Sequence, residues 1–306
     1  MTWVDAIVFG FLNVAKPVGR SSRRVVDRVQ KLVKPMKVGH TGTLDPLASG
    51  VLVLAIGPAT RLAKHLLHHS KHYRVDFRLG CSSNTEDLEG ELNYLASPPL
   101  VSRDEMRNAL LDFTGPILQR PPAFSAVKVN GQRAYRLARK GKSVRLAERE
   151  VTIHDLELEE FDYPDFQLAV HCSGGTYVRS LGRDLGRHVG SAAVMTALSR
   201  TRIGEFSLRD SIAWDSLDRE TIEANLVAPL TALPDLPCTV VDDATIAKLR
   251  YGSLVELDEV AELVAAVDSR QRLMAIMALR GSGQYSPSTN FVSYWEDGGY
   301  QSSESS

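Results

Sequence analysis

Cysteine is scarce: Cys81, Cys172 and Cys238 are the only three in 306 residues. An odd, scattered set argues against a disulfide framework and against a zinc knot. Long apolar runs are missing as well. No stretch of about 18 apolar residues occurs, so no membrane span is expected. The opening M-T-W-V-D-A-I-V lacks the basic-then-apolar layout of a secretory signal. A reducing cytoplasm is the setting these absences imply. There is also no internal repeat and no coiled-coil seam to argue for an oligomer.

What is present is enough for a packed core, with 43% hydrophobic residues. The length suggests one large domain and one small one. A net charge of −1 conceals a division. Residues 211–306 hold 15 Asp/Glu and 6 Lys/Arg, a net of −9. Residues 1–210 hold the remaining 22 acids and 30 bases, a net of +8. The first part has the charge of a polyanion binder, although an ordinary solvated surface gives the same sign.

The pattern predicts a strand ending at Lys16-Pro17 and a basic helix over 21–33, capped by Ser21 or Ser22. A strand follows at 51–56, a short helix at 59–67, and an alternating strand at 73–79. Residues 81–91 read as a turn, 103–113 as a helix, and the segment around Pro116, Pro121 and Pro122 as a loop. Residues 132–140 read as a basic helix, 151–161 and 166–172 as a hairpin, and 176–189 as a helix opened by Gly174-Gly175. A last strand of the first part is expected at 202–208. A Pro-rich linker at 233–237 marks a boundary, which divides the chain into 1–235, 236–296 and a disordered tail at 297–306. In the second part a helix at 243–250 and strands at 262–267 and 272–278 are expected. Strands and helices alternate without a regular rhythm, which favours α+β with a mixed, largely antiparallel sheet.

The most distinctive stretch is G-H-T-G-T-L-D-P-L-A-S-G at 39–50. It holds one carboxylate, Asp45, on a loop of small residues, with Pro46 steering it away from helical geometry. Such a group can serve as nucleophile, base or metal ligand, or can merely stabilise its own turn. No metal is expected, because no His-x-His, Cys-x-x-Cys or Asp-x-Asp group lies nearby. His40 shares the loop. Gly-Gly-Thr-Tyr-Val-Arg at 174–179 sits at a strand-to-helix junction. Arg179 in a first helical turn opposes the helix dipole and calls for a carboxylate partner, either Asp45 or Asp184. Tyr73 heads its strand and can stack on a base or simply fill the core. Two basic bands complete the set. Residues 120–149 carry nine Lys/Arg, among them Arg120, Lys128, Arg133, Arg136, Arg139, Lys142 and Arg145, against Glu148 alone. Residues 16–37 carry eight against Asp27. Phe124 and Tyr135 interleave with the first band, a mixture suited to RNA.

Taken in order, these pieces resemble a bacterial tRNA pseudouridine-55 synthase of the TruB family. The segments are K-P-V-G-R-S-S (16–22), the 39–50 loop, K-H-Y-R-V (71–75), Q-R-P-P-A-F-S-A-V-K (119–128), G-Q-R-A-Y-R-L-A-R-K-G (131–141), G-G-T-Y-V-R-S-L-G-R-D-L-G (174–186) and L-S-R-T-R-I-G-E-F (198–206). The resemblance covers roughly residues 8–235. It implies a pseudouridine-synthase fold, a curved mixed sheet followed by a small PUA-like β domain, and isomerisation of one uridine in the tRNA T-loop without cofactor or metal. It implies Asp45 as nucleophile, Tyr73 as the ring that stacks on the base and takes the C5 proton, and Arg179 as the partner of the carboxylate. His40, Thr41, Gly42, Lys16, Arg20, Tyr177, Lys128, Arg133, Arg136 and Arg139 are the implied RNA contacts, with Pro17 and Pro46 as support. The sequence departs from the family pattern in three places. Arg20 stands where the family often has an uncharged residue. Ser83-Asn84-Thr85 replaces the usual T-D-T and puts a supporting carboxylate in doubt. The 238–292 region is acidic and looks like a degenerate PUA-like unit. On residues alone two other readings stay open: an RNA-binding or RNA-folding module without chemistry, and an N-glycosidic hydrolase that uses Asp45 with a water.

Overall fold

A computed structural model of the chain describes residues 9–125, 127–129, 131–141 and 146–296. Lys142, Arg145 and the tail from 297 onward lie outside the described residues, as does the side chain of Lys128. In chain order the elements are β1 (Gly10–Lys16), α1 (Ser22–Leu32), β2 (Val38–His40), β3 (Ser49–Ile56), a 3-10 turn over Gly57–Leu62, α2 (Ala63–His68), β4 (Lys71–Leu79), β5 (Cys81–Ser83) and β6 (Leu92–Tyr94). Next come α3 (Arg103–Leu111), β7 (Gly115–Gln119), β8 (Lys128–Val129), β9 (Gln132–Arg133), α4 (Ala134–Ala138), β10 (Arg149–Asp162), β11 (Asp165–Cys172), α5 (Val178–His188), β12 (Ala193–Ile203), β13 (Phe206–Ser207) and β14 (Ile212–Ala213). The remainder comprises α6 (Arg219–Ala224), β15 (Cys238–Val240), α7 (Asp243–Arg250), β16 (Val255–Glu256), β17 (Leu263–Val267), β18 (Leu273–Gly281), β19 (Gln284–Asn290) and α8 (Val292–Glu296).

The main sheet has ten strands along the path β14-β1-β3-β12-β4-β11-β10-β7, with β2 on β3 and β13 on β12. The pairs β1–β14 and β3–β12 are parallel, and the other pairs are antiparallel. This is the mixed, largely antiparallel sheet expected of an α+β chain. A second sheet, β15-β17-β18-β19-β16, follows in the acidic part.

The two sheets share apolar ground, and β3 shows why its sequence is an unbroken apolar run. Leu52, Leu54 and Ile56 face a core with Val25, Val26 and Val29 of α1. Val51, Val53 and Ala55 face the other way, into a cluster with Ala265, Val267, Leu273 and Ile276 of the second sheet. A strand covered on both faces has no polar side to show. Phe9 stacks on Phe291 at 5.7 Å and meets Trp295 at 4.8 Å, which seals that junction. Leu233, within the expected linker, is buried in the same cluster.

Several expectations change. The strand expected at 202–208 is a hairpin instead: it joins the end of the eleven-residue β12, which begins at Ala193 and runs through the middle of the sheet, to the short β13. The alternation of β12 is broken by irregularities between Met195 and Ala197 and between Arg200 and Arg202. Pro116 belongs to a strand, not a loop: β7 is the sheet's edge and pairs on one side with β10, so a residue lacking an N–H is tolerated. The basic helix expected at 132–140 shrinks to α4, preceded by the β8–β9 hairpin. The polar turn at 81–91 is framed by the β5–β6 hairpin.

Candidate active site

Asp45 lies between β2 and β3, and three contacts shape its loop from outside. Ser21 caps α1, and its neighbour Ser22 grips Leu44: the buried hydroxyl donates to the Leu44 carbonyl at 2.9 Å and accepts from the Leu44 N–H at 2.8 Å. The Lys16 amine, almost fully buried, donates to the carbonyls of Pro17, Arg20 and Pro46. The Gly19 N–H also donates to Pro46 at 2.8 Å. The K-P-V-G-R turn is thereby stapled to the residue beside Asp45.

Arg179 enters from the first turn of α5. Its Nε lies 3.1 Å from Asp45 Oδ2, with the arginine 8% and the carboxylate 33% exposed. Its Nη1 lies 3.5 Å from Asp87 Oδ2 and donates to the Thr85 carbonyl, while Nη2 donates to the Phe124 carbonyl. One guanidinium thus ties the Asp45 loop, the 83–89 turn and the 119–128 segment to α5. Asp184, the other candidate partner, pairs with Arg183 instead. The start of α5 is held independently: Gln119 accepts from the Tyr177 N–H at 2.8 Å and donates to its carbonyl at 3.0 Å. Gly182 lets α5 approach β4, since a Cβ there would meet the Phe77 ring at 2.0 Å.

Tyr73 and Arg200 face each other across the β4–β12 ladder. Tyr73 is buried with Val75 and Phe77 on the inner face. Arg200 is 2% exposed. It donates from Nε to the Val51 carbonyl at 2.8 Å and from Nη2 to the Gly42 carbonyl at 3.1 Å, and its charge acts on the Tyr73 phenol opposite. Gly50 passes so close that a Cβ would meet the Arg200 carbonyl oxygen at 2.2 Å, and its φ of +104° suits glycine alone.

Several implied RNA contacts are corrected by their surroundings. Thr41 is fully buried, and its N–H and hydroxyl both donate to the Val53 carbonyl, so it anchors the loop instead of facing a ligand. Gly42 gives its carbonyl to Arg200, and Lys16 has no exposed amine to offer. His40 ends β2 and is half-buried, with Nδ1 buried and unpartnered. Tyr177 is half-buried, with the Arg149 guanidinium 4.7 Å over its ring. Arg20, Arg133, Arg136 and Arg139 are exposed. Arg139 sits over the Tyr135 ring at 5.6 Å. Pro17 and Pro46 flank the stapled turn.

A match to the model of the TruB family pseudouridylate synthase N-terminal domain spans residues 30–178. A tRNA pseudouridine synthase B of Dehalococcoides mccartyi is 36% identical over 289 residues, covering 92% of this chain and 96% of that protein. One from Heliobacterium modesticaldum is 41% identical over 246 residues, covering 79% and 80%. The chain belongs to the TruB family of pseudouridylate synthases. A chain in the crystal structure of a Cbf5-Nop10-Gar1 complex has the same architecture, with a TM-score of 0.70 at 26% identity over 92% of this chain and 82% of that one. The protein is therefore a pseudouridine synthase, an isomerase.

Within this TruB-family site the charges set the chemistry. Burial pushes the Asp45 carboxyl above its ordinary pKa. Arg179 opposes that most strongly, Asp87 adds to it, and Lys16 and Arg200 pull it back. Burial is thus a larger influence on Asp45 than the neighbouring Arg179. Burial lifts the Tyr73 phenol to about 12, against the pull of Arg200. Burial lowers the Lys16 amine to about 8 despite Asp45. His40 is lowered by burial and then by Arg200, Arg133 and Arg23, so it favours the neutral imidazole and a polar, uncharged contact.

Sequence reasoning missed Asp87 and Arg200. Asp87 is 1% exposed and accepts from Thr85 Oγ1 at 2.6 Å and from the Glu89 N–H at 3.0 Å. It supplies the carboxylate that Asn84 had put in doubt. A buried Glu86 pairs with Arg183 and accepts from Ser180 at 2.8 Å, which holds the same turn against α5. The signal for Asp87 lay three residues past Asn84, inside a segment whose polarity reads as surface.

Proposed function

We propose that this enzyme isomerises uridine 55 in the T-loop of tRNA to pseudouridine, with Asp45 as the nucleophile. The observation that carries the reading is the Asp45–Arg179–Asp87 arrangement, 3.1 and 3.5 Å. A stacked uridine in a folded T-loop must be flipped out before it can react. Exposed Arg20, Arg133, Arg136 and Arg139 hold phosphates and offset the unstacking. The Asp45 carboxylate attacks the flipped nucleotide and allows the C1′–N1 bond to break. The base turns and C1′–C5 forms as the bond between Asp45 and the nucleotide breaks, which frees the carboxylate; the C5 proton passes to the Tyr73 oxygen as the hydroxyl's own proton moves on in relay, and a proton ends on N1. The chain's own side chains are sufficient for each step, and it acts as a monomer in the cytoplasm. Residues 1–235 form the synthase unit and 236–296 a PUA-like unit.

Carbodiimide-primer extension on an unmodified tRNA transcript tests the reading. The wild-type chain should produce one stop, at position 55, and a transcript with cytidine there should show none. Free uracil released from the RNA would instead mark a hydrolase. Tight binding with no stop and no uracil would mark an RNA-folding module.

A further inference from the structure

Arg200 poses a question that the reaction scheme leaves open. Burying a guanidinium is expensive unless it is paired and fully hydrogen-bonded. Among the described residues no carboxylate lies within ion-pair distance of it. Its hydrogen-bond partners are instead parts of the site, the Gly42 and Val51 carbonyls, and Tyr73 is its cross-strand neighbour on β4. Those two carbonyls bracket the loop carrying Asp45, one on each side. The strand bearing Arg200 is the one that lies between β3 and β4, parallel to the first and antiparallel to the second. A lysine has one point of charge and cannot hold both carbonyls in the fixed plane of a guanidinium.

We infer that Arg200 is the positioning residue of this site, a single guanidinium beneath the loop that sets the Tyr73 ring and the Asp45 loop relative to each other. The inference rests on the proposed function. The charged and titratable groups that feel Arg200 are Asp45, Tyr73, Lys16, Lys71 and His40. Three of them are cationic or basic, so the arginine is kept there against repulsion from Lys16 and Lys71. Its interactions with Asp45 and Tyr73 are the favourable ones. During the reaction the carboxylate charge moves from Asp45 onto the departing base. A fixed positive charge behind both groups stays in place through that transfer and need not reorganise. With 2% exposure Arg200 does not touch the substrate and acts through Tyr73 and the loop.

The test compares Arg200→Lys and Arg200→Gln, each alone and with Tyr73→Phe, in single-turnover conversion of unmodified tRNA across pH. Arg200→Lys should slow conversion about 100-fold while the tRNA Kd stays within about twofold. Its acid limb should remain at the wild-type pH, because the charge is kept. Arg200→Gln should be slower still, with the acid limb moved to higher pH, because a charge that favours ionised Asp45 is gone. In the Tyr73→Phe background the further loss from Arg200→Lys should be much smaller than 100-fold, about tenfold or less, since contacting pairs are not additive. A rate for Arg200→Lys within about threefold of wild type, full additivity with Tyr73→Phe, or a tRNA Kd that weakens in step with the rate would each overturn the inference. If the arginine variants do not fold, Tyr73→Phe alone decides, since wild-type speed without the hydroxyl would remove the contact from the mechanism. An inactive wild-type chain would refute the proposed function, and this inference with it; an active one with unaffected Arg200→Lys refutes this inference alone.

Discussion

The two buried arginines occupy different kinds of ground. Arg179 opens a helix and faces two carboxylates, Asp45 and Asp87, with two carbonyls taking its remaining donors. Arg200 lies mid-strand, donates to two carbonyls and has Tyr73 as its cross-strand neighbour, with no carboxylate in ion-pair distance among the described residues. Burial lowers the pKa of Arg200, the sign of a charge less than fully compensated. At Arg179 two anions and one cation give the site a local excess of negative charge, which Arg200 and Lys16 balance from behind. The contrast teaches that the Asp45 loop is held from two directions: Arg179 pairs with the carboxylate itself, and Arg200 holds the backbone on either side of the loop.

Removing the first should have the largest effect. Arg179→Met leaves two carboxylates facing each other without a cation, and should slow single-turnover pseudouridine formation about 1000-fold. Breaking this pair should also cost about 3 kcal/mol in urea unfolding. The pH–rate profile carries a sign: Arg179 is the strongest downward pull on Asp45, so the acid limb of any residual activity should move to higher pH. Loss of stability without loss of rate would make Arg179 a structural brace and erase the contrast with Arg200.

Asp87→Asn should do less and move the limb the other way. Its charge raises the Asp45 pKa, so its removal lets Asp45 ionise at lower pH. The rate at neutral pH should fall about tenfold, because Arg179 loses one of its two anchors. A limb that stays in place would show that Asp87 does not sense Asp45. The smallest effects on rate belong to the surface. Arg133→Gln and Arg139→Gln should each weaken tRNA binding several-fold and reduce the salt slope of log K by about 1, with the bound rate unchanged. Arg270→Gln, in the acidic part, should leave Kd within about 1.5-fold. Filter binding at several salt concentrations separates these from the buried arginines, whose loss should change rate and spare Kd.

Much of this was legible in the chain because its signals are local. The Asp45 loop announces itself through small residues and a proline, and the caps of α1 and α7 stand one or two positions from their helices. The Arg179–Asp45 pairing follows from a cation in a first helical turn that needs an anion. The hidden half of the site depends on β12. Its irregularities shift the face that each residue presents, so Ser199-Arg200-Thr201-Arg202 reads as a polar strand end when it is a central strand beneath the active loop. Asp87 was hidden for the opposite reason: a turn rich in polar residues reads as solvent-facing, yet tertiary packing against α5 buries it. Pro116 misled in the same way, since a proline is compatible with a strand only where one edge is free, and edge position is set by the whole sheet.

The central claim is that Asp45 is the nucleophile. Its most direct test is Asp45→Asn, which keeps the size and most hydrogen bonds of the side chain and removes the charge. The account predicts a tRNA Kd within about threefold of wild type and no stop at position 55 after carbodiimide-primer extension, a rate loss of at least about 1000-fold. Pseudouridine formed by freshly purified Asp45→Asn at a rate near wild type would contradict it.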